Sequence, residues 1–593
     1  MDAPIFDSGD SFHKRPFGAV KCGETVFFSV KWKTNKSVFF VLSRDDTGTE
    51  TRTEMTTDGD FIFKIRIVFD FVGLYFYHFE CEDGCVLRNA PSSKGFVLPE
   101  DAGEWFTQMV YEREYISPKR FGGRIVYQIF PDRFYRKEPL SAGFDDRIIH
   151  NDLNALPLFR PVNGIVKNND YFGGNLRGII DKLPYLKSLG IGAIYLNPIF
   201  ESHSNHRYDT ADYMRVDPML GDNNDFKRLC ECAHSADILI VLDGVFSHTG
   251  ADSVYFNKYG RYGKNIGAFN DDKSPWRSWY KWDDSSIGYH GWWGFETLPE
   301  VNENDTGFRT FICGEGGVID YWLSLGADGF RLDVADELPD SFIAEIRKAV
   351  KRWGDDKILI GEVWEDAAIK IAYDVRRQYY WGYELDSVMN YPFREAIIEF
   401  VRGADSELFI NRVMEIIENC PKPMMDLNLN LLSTHDTDRL LTALTRREDN
   451  HDREWQSLQW LSRDEYLRGV EMAKLAFALL LTLPGIPMIY YGDEIGMQGY
   501  SDPFNRGYFK WDDMDDNLYA TVRNIIAMRR QNSAFVDGVL VRVFEEEGCI
   551  AYLRKNDEST VFVAVNRADL EYTIQMGTHL FKMPPWTYLM EPI

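Results

Sequence analysis

The segment GFRLDVADE, residues 329–337, decides how the fold of this chain is interpreted. It is an extended apolar run in which Arg331 and Asp333 stand two residues apart, so both side chains leave the same face of a predicted strand. Two later apolar runs also end in acids, one at Glu362 and one at Asp436, which follows His435. A lone acid at a strand end is usually a helix cap or a loop ion pair. Three acids at the ends of three strands, with a basic residue beside two of them, are instead typical of a barrel active site.

Apolar runs of strand length recur along the middle of the chain and alternate with amphipathic helical stretches. Eight strands are predicted, which is the number that closes a parallel barrel. They are Ile125–Phe130, Ala193–Asn197, Ile238–Val245, Gly329–Val334, Ile358–Val363, Asp386–Tyr391, Leu427–Ser433 and Pro487–Tyr491. The helical stretches include 176–189, 223–236, 341–353, 394–419, 464–483 and 517–531. The sequence therefore predicts a central (β/α)8 TIM barrel.

The two ends of the chain differ from the middle in their pattern of apolar and turn-forming residues. Residues 1–118 alternate short β-type runs with turn clusters and are predicted to form an N-terminal antiparallel β-sandwich. Residues 119–532 would form the barrel, and residues 533–593 a C-terminal antiparallel β-sandwich domain. The interval of about 249–316 after the third strand is too long for a simple connection and is rich in Trp and Tyr. We interpret it as an inserted subdomain whose aromatic rings either stack on sugars or form its own core.

The composition of the chain and its first residues indicate which class of ligand it binds and in which cellular compartment it is found. A net charge of −26 would repel nucleic acids and anionic membranes, so a neutral ligand is expected and neither of those partners. The first seven residues have neither a basic segment nor an apolar core of signal-peptide length, which predicts a cytoplasmic protein. The eight scattered cysteines are expected to be free thiols, with a disulfide between Cys81 and Cys85 as the alternative.

The three acids suit the cleavage of a glycosidic bond, which uses one ionised and one protonated carboxyl group. Arg331 is expected to keep Asp333 ionised by favouring its charged form, which makes Asp333 the candidate nucleophile. Glu362 lies in the apolar and aromatic segment LIGEVW, where its pKa should be raised. Glu362 is therefore the candidate general acid and base.

Four short motifs, in chain order, resemble the α-amylase superfamily of glycosidases over about residues 121–593. They are DGVFSH (243–248), GFRLDVADE (329–337), GEVW (361–364) and STHD (433–436). The segments VADE (334–337) and GIPMIYYGDE (485–494), with the length of the N-terminal domain, are most similar to the branch of neopullulanases, cyclomaltodextrinases and maltogenic amylases.

The resemblance implies a role for each matching residue. Asp333 would be the nucleophile, Glu362 the general acid and base, and Asp436 the third catalytic acid, which stabilises the transition state. Arg331 would orient Asp333. The other substrate-binding residues would be Tyr208, His248, Glu337, Trp364 and His435. For His248 and His435, a buried structural histidine is the alternative.

The resemblance further implies a retaining hydrolase that cleaves α-1,4 bonds of short maltodextrins, cyclodextrins or pullulan through a covalent intermediate. Transfer to a sugar acceptor would be a side reaction, and relatives of this branch imply a homodimer. An α-glucosidase or glucanotransferase on the same site is one alternative, and a catalytically silent sugar-binding protein is another.

Two departures from the family pattern put bound calcium in doubt, and no other cofactor is expected. Ser247 stands where the family usually has a calcium-binding Asn, and residues 136–143 lack the usual acidic loop. The alternative is that other acids, such as Asp145 or Asp146, rebuild a calcium site.

Overall fold

Eight parallel strands close into a barrel at the centre of the computed structural model. The structure describes residues 5–90, 94–98, 103–139, 146–162, 166–446 and 452–593. The strands, in order around the barrel, are Val126–Ile129, Ala193–Leu196, Leu239–Gly244, Gly329–Leu332, Ile358–Gly361, Ser387–Asn390, Leu429–Asn430 and Ile486–Tyr490. The first strand pairs with the eighth, which completes the closure. The predicted TIM barrel and its eight strands are confirmed.

The barrel strands are apolar on both faces because each is covered on both sides. In the fourth strand, Phe330 and Leu332 belong to the large core shared with the helices. Arg331 lies on the other face, where its guanidinium contacts Met389 and the ring of Tyr195 inside the barrel. A fully buried cation therefore occupies the barrel interior, aimed at the carboxyl ends of the strands.

Helices surround the barrel and follow the predicted stretches, with one difference. The longer ones are Leu176–Leu189, Asn223–Ser235, Thr306–Cys313, Val318–Ser324, Asp340–Lys351, Tyr391–Arg402, Ser406–Asn419, Leu440–Thr445, Arg463–Thr482 and Asp516–Gln531. The single helical stretch predicted over 394–419 is two helices. Gly403 adopts a φ of 133°, which ends the first, and the Asp405 carboxylate caps the second by accepting from Leu408 N.

The long interval after the third strand is an insert that returns to the barrel where it began. His248 pairs with Glu300, and Tyr280 pairs with Val301, in isolated antiparallel bridges. Part of its aromatic content is its own core, as predicted, since Trp279, Tyr280 and Tyr289 are buried. Trp293, in contrast, is 76% exposed.

Antiparallel sheets flank the barrel on both sides in sequence. The N-terminal part has two sheets, one of Phe6–Asp7, Val20–Lys21, Val38–Arg44, Glu50–Glu54, Gly73–Cys81, Val86–Ala90, Lys94–Val97 and Phe106–Tyr111, the other of Lys14–Arg15, Glu24–Lys31, Thr56–Thr57 and Ile62–Phe69. They enclose an aromatic core. The C-terminal part has a sheet of Val539–Glu546, Cys549–Lys555, Thr560–Asn566 and Thr587–Pro592, and a hairpin of Tyr572–Met576 and His579–Met583. The flanking β architecture is thus as predicted; the domain limits at 118/119 and 532/533 stay predictions.

The N-terminal sandwich is attached to the barrel by a buried ion pair. Lys14 Nζ lies 2.8 Å from Glu418 Oε1, with side chains 0% and 7% exposed. Ser8 Oγ donates to the other oxygen, Glu418 Oε2, at 2.6 Å. The sandwich and the helix that carries Glu418 are therefore fixed relative to each other.

All eight cysteines are free thiols, including Cys81 and Cys85. Within the described ranges, none of the helices combines the length and the apolar character that crossing a bilayer requires.

Candidate active site

Arg331 brings together acids from two barrel strands. Its Nη1 lies 2.7 Å from Asp333 Oδ1 and 2.8 Å from Asp243 Oδ1. Asp243 ends the third strand, and its other oxygen accepts from the hydroxyls of Tyr195 at 2.6 Å and Tyr208 at 2.9 Å. Asp333 and Asp243 are thus both held by Arg331.

Glu362, after the fifth strand, joins the same guanidinium. Arg331 Nη2 forms an ion pair with Glu362 Oε2 at 2.9 Å, and the backbone N–H of Val334 donates to that oxygen at 2.8 Å. Val334 has a φ of 39°, which is strained for a β-branched residue and turns its N–H toward the acid. Trp364 Nε1 donates to Oε1 at 3.1 Å, so both oxygens of Glu362 are positioned.

The burial and the charges of this cluster determine the pKa of Asp333. Burial raises the pKa of Asp333 well above its usual value, and the carboxylates of Glu362 and Asp243 add to the effect. Arg331 opposes this increase but faces three carboxylates at once. Burial therefore outweighs the effect of Arg331 on the pKa of Asp333, whereas the sequence led us to expect Arg331 to dominate. Asp333 is therefore buried between one cation and two further carboxyl groups.

Asp436 lies beside this cluster with a different set of neighbours. Its Oδ2 is 3.1 Å from His435 Nε2, and its Oδ1 is 3.6 Å from Arg506 Nη2. Desolvation in the cleft, with repulsion from Glu362, raises the pKa of Asp436 to about 7. Its side chain is 31% exposed, so solvent or a ligand reaches it.

His435 and Tyr208 form a stacked pair under the site. Their rings lie 5.3 Å apart at an interplanar angle of 4°, and His435 Nε2 contacts the Tyr208 hydroxyl. Gln128 Nε2 donates to His435 Nδ1 at 2.9 Å, which places the imidazole proton on Nε2, the atom that faces Asp436. Burial lowers the pKa of His435 well below its usual value, so the ring is neutral.

His248 presents one free nitrogen. Ser247 Oγ and His248 Nδ1 lie 3.0 Å apart, while the buried Nε2 has no hydrogen-bond partner among the described residues. Burial lowers the pKa of His248 to about 4. Because an unpaired buried nitrogen is costly, the arrangement favours a ligand hydroxyl at Nε2 over a purely structural histidine.

The two remaining predicted residues lie on the rim. Trp364 is 41% exposed and stacks on Tyr391 at 3.9 Å. Glu337 accepts hydrogen bonds from the indole nitrogens of Trp292 and Trp293 of the insert. Glu337 is therefore held by the insert and does not contact Arg331 or its carboxylate partners. Trp364 contacts one of these partners, Glu362, through its indole nitrogen.

Sequence reasoning missed several residues that shape the site. Asp243 could have been identified from the sequence, because it stands near a strand end within the motif DGVFSH. Gln128 and Tyr195 lie on the inward faces of two barrel strands. They were missed because the surrounding residues are apolar and a single polar group in such a run gives no clear signal. Arg506 follows the eighth strand in a loop without periodicity, and no sequence signal points to it.

The described residues do not fit a calcium ion where the resemblance would place one. The Ser247 hydroxyl is engaged with His248, and residues 140–143 of the expected loop, like Asp145, lie outside the described residues. Asp146 is described, but neither it nor any other part of the described chain belongs to a cluster of three or more His, Cys, Asp or Glu that could hold a metal. Calcium therefore has no part in the chemistry that we derive.

Comparison with known proteins agrees with this geometry. The family described as "Alpha amylase, catalytic domain" matches residues 128–530. An amylopullulanase of Thermoanaerobacter thermohydrosulfuricus is 34% identical over 635 residues, covering 95% of this chain and 42% of the relative. A cyclomaltodextrinase of a Bacillus species is 31% identical over 465 residues, covering 76% of this chain and 74% of the relative. The chain spans less than half the length of the amylopullulanases that it matches.

Among solved structures, the ligand-free cyclic α-maltosyl-(1→6)-maltose hydrolase from Arthrobacter globiformis is similar, with a TM-score of 0.68 and 28% identity. The similarity covers 81% of this chain and 100% of that one.

Proposed function

The chain belongs to the α-amylase family of glycoside hydrolases, and we propose that it is a retaining α-glucan hydrolase that cleaves α-1,4 bonds. One observation carries the proposal: a single buried guanidinium, Arg331, contacts both Asp333 and Glu362. Two carboxyl groups that are fixed side by side are what the double-displacement reaction uses.

In the proposed reaction, Glu362 is protonated and Asp333 is ionised when substrate is bound. A carboxylate oxygen of Asp333 attacks the anomeric carbon while Glu362 gives its proton to the glycosidic oxygen, and the shortened glucan leaves. Glu362, now ionised, takes a proton from water, whose oxygen displaces Asp333 and releases the sugar. Val334 N–H and Trp364 Nε1 keep Glu362 in place through both steps.

The remaining residues would hold the glucose ring that is attacked. Asp436, which is partly exposed and lies 3.1 Å from the neutral ring of His435, would accept from ring hydroxyls. His248 Nε2 would form a hydrogen bond with another hydroxyl, and Tyr208 would lie under the ring. Trp364 on the rim would contact the leaving part of the glucan. Glu337, with Trp292 and Trp293, would contact it as well.

We propose short maltodextrins, cyclodextrins and pullulan as substrates, because relatives of matching length bear the names cyclomaltodextrinase and neopullulanase. The test is chromatography of products from maltoheptaose, β-cyclodextrin and pullulan. Maltose or panose-type oligosaccharides are expected. Glucose alone would favour an α-glucosidase, products longer than the substrate would favour a glucanotransferase, and no cleavage of any of the three would refute the proposal.

A homodimer in the cytosol is proposed as the working form, with no nucleic-acid or membrane partner. Eight free thiols favour a reducing compartment. Sedimentation velocity over a range of concentrations tests the oligomeric state, and a monomer at micromolar concentration would contradict it.

A further inference from the structure

A row of charged side chains leads from Asp436 to the surface. Arg506 Nη2 lies 3.6 Å from Asp436 Oδ1, and Arg506 Nη1 lies 2.9 Å from Asp502 Oδ1. The other oxygen of Asp502 is 3.6 Å from Nη2 of Arg453, the first residue of the helix Arg453–Ser457. The exposed fraction of the side chain rises from 10% for Arg506 to 41% for Arg453. The row therefore connects the buried acids with this helix.

Two aromatic rings stand at the outer end of the row. The ring centroids of Trp455, on the helix, and Tyr500 lie 5.4 Å apart at an interplanar angle of 74°. Both residues are partly exposed. The carbonyl of Gly499, next to Tyr500, accepts from Arg439 N at 3.0 Å. The rings are therefore fixed relative to the loop that carries the third acid, and they keep surface that a ligand can reach.

A further segment holds the helix in place. Arg160 donates two hydrogen bonds to the carboxylate of Glu454, at 2.7 and 2.8 Å. The neighbouring Phe159 packs against Phe504, with ring centroids 5.2 Å apart. The ion pair is exposed and adds little to the stability of the fold. Its bidentate geometry fixes the orientation of the two partners, so the contact gives the helix a defined position.

The chemistry of this surface favours a neutral ligand with many hydroxyl groups. Two cations and two carboxylates alternate along the row, so their charges balance and attract no ion. The distance of 3.6 Å between Asp502 and Arg453 is too long for a direct hydrogen bond, which leaves an acceptor and a donor for a ligand. The two aromatic rings offer an apolar surface on which a sugar ring packs. A glucan combines both features.

The position of the row indicates which part of a glucan it would hold. Glu362, which would protonate the leaving oxygen, is contacted by Trp364 Nε1 at 3.1 Å. The row begins instead at Asp436, which would hold the ring that is attacked. The leaving part of the glucan would therefore lie toward Trp364, and the part that stays on Asp333 would lie toward Arg506.

We propose that Trp455, Tyr500 and Arg453 form an outer subsite for the third and following glucose units on the non-reducing side of the cleaved bond. Asp502 and Arg506 separate this subsite from the ring that is attacked, so only longer chains reach it. The identity of the ligand rests on the proposed function, whereas the subsite itself does not involve the catalytic acids. A linear maltodextrin that reaches the outer subsite would be cleaved more efficiently than one that ends before it.

The test uses nitrophenyl α-maltosides of increasing length. Release of nitrophenol reports only the binding mode in which every glucose unit lies on the non-leaving side. The measured quantity is the ratio of kcat/KM for nitrophenyl maltotetraoside to kcat/KM for nitrophenyl maltoside. In the wild-type chain this ratio should be about five or more, which corresponds to about 1 kcal/mol of binding to the outer subsite.

Trp455→Ala should lower this ratio to about one, because the sugar ring loses its aromatic surface. Arg453→Ala, which removes donors for hydroxyl groups, should lower it as well. A purely structural effect would lower both values of kcat/KM and leave their ratio unchanged. The matched control is Trp353→Ala, a change at an exposed tryptophan that donates to Asp320, and it should keep the wild-type ratio.

The activity of the wild-type chain separates this inference from the proposed function. If the wild-type chain cleaves maltoheptaose but releases no nitrophenol, or if its ratio is close to one, the outer subsite is refuted and the function stands. The same holds if neither variant lowers the ratio, or if the control lowers it equally. If the wild-type chain cleaves none of these substrates, both are refuted. Melting curves identify a variant that fails to fold, and the other variant then decides.

Discussion

Arg331 Nη2 lies 2.9 Å from Glu362 Oε2, so the guanidinium that positions the candidate nucleophile also holds the candidate acid. With Asp243 included, three carboxyl groups share one cation, so the cluster carries an excess of negative charge when all three are ionised. The arrangement therefore holds the proposed acid beside the group that must be ionised during the attack.

The first prediction concerns stereochemistry. A double displacement needs the two carboxyl groups about 5–5.5 Å apart, whereas inversion needs about 6.5–9.5 Å to admit a water. Since one guanidinium joins Asp333 and Glu362, we expect retention. Proton NMR of the first product from maltotriose should show the α-anomer before mutarotation, and an initial β-anomer would contradict the mechanism.

The second prediction separates the two acids by the leaving group of the substrate. Glu362→Gln should lower kcat/KM for maltotriose by about 10²–10⁴-fold, because no proton reaches the leaving oxygen. Its loss on α-glucosyl fluoride should be smaller, since fluoride leaves without protonation. Asp333→Asn should be severely impaired on both substrates, because no covalent intermediate forms. Equal losses of Glu362→Gln on both substrates would argue against its role as the acid.

The third prediction concerns the acidic limb of the pH profile. Burial raises the pKa of Asp436 to about 7, and repulsion from the carboxylate of Glu362 adds to the effect. Because Asp436 would accept from sugar hydroxyls in its ionised form, kcat/KM should fall as the pH drops through about 7. Asp436→Asn, which cannot ionise, should have lower activity and should lose this limb. Asp438→Asn, whose carboxylate pairs with Arg446 at 2.9 Å, is the control and should leave the limb in place.

The fourth prediction is about stability. Glu384 is buried, and burial raises its pKa to about 9, with Asp340 adding to the effect. The folded state keeps a proton that the unfolded chain loses near its ordinary pKa of 4.5. Stability should therefore fall as pH rises between about 4.5 and 9, by up to about 1.4 kcal/mol per pH unit.

Glu384→Gln should remove this dependence, because glutamine cannot ionise. The melting temperature of the variant relative to the wild type should be higher at pH 8 than at pH 5. The exposed Glu365→Gln serves as the matched control. A constant difference between variant and wild type across this range would show that Glu384 is not held protonated.

The fifth prediction concerns calcium. Because the residues near Ser247 do not fit the ion, prolonged treatment with EDTA should change neither activity nor melting temperature. A tightly bound ion at 100-fold above its Kd would add about 2.7 kcal/mol to stability. An increase of several degrees in melting temperature when Ca²⁺ is added to chelated protein would reveal a site, including one at residues such as Asp145.

The barrel could be predicted because its strands are apolar on both faces and stand out as short continuous runs. Their ends were less certain. The run Leu427–Ser433 contains a strand of only Leu429–Asn430, since the rest of the apolar stretch is buried without ladder hydrogen bonds. The break at Gly403 was missed because amphipathic periodicity continues on both sides of the glycine.

The acids of the site could be predicted because each stands at a strand end beside a distinctive neighbour. The raised pKa of Asp333 could not be predicted, because Arg331 stands two residues away in the sequence while the burial of Asp333 is seen only in the structure. Because Arg331 is close to Asp333 in the sequence, we overestimated its effect on the pKa of Asp333.

The buried pair of Lys14 and Glu418 has a consequence for synthesis, since 404 positions separate the two residues. At about 5–20 residues per second, the ribosome needs roughly 20–80 s to travel from one to the other. During that time a completed N-terminal sandwich would present a cation with no counterion to the ribosome surface and to chaperones. We expect the nascent chain to pass through a stage in which this surface is exposed, and it becomes buried only when the helix that carries Glu418 arrives.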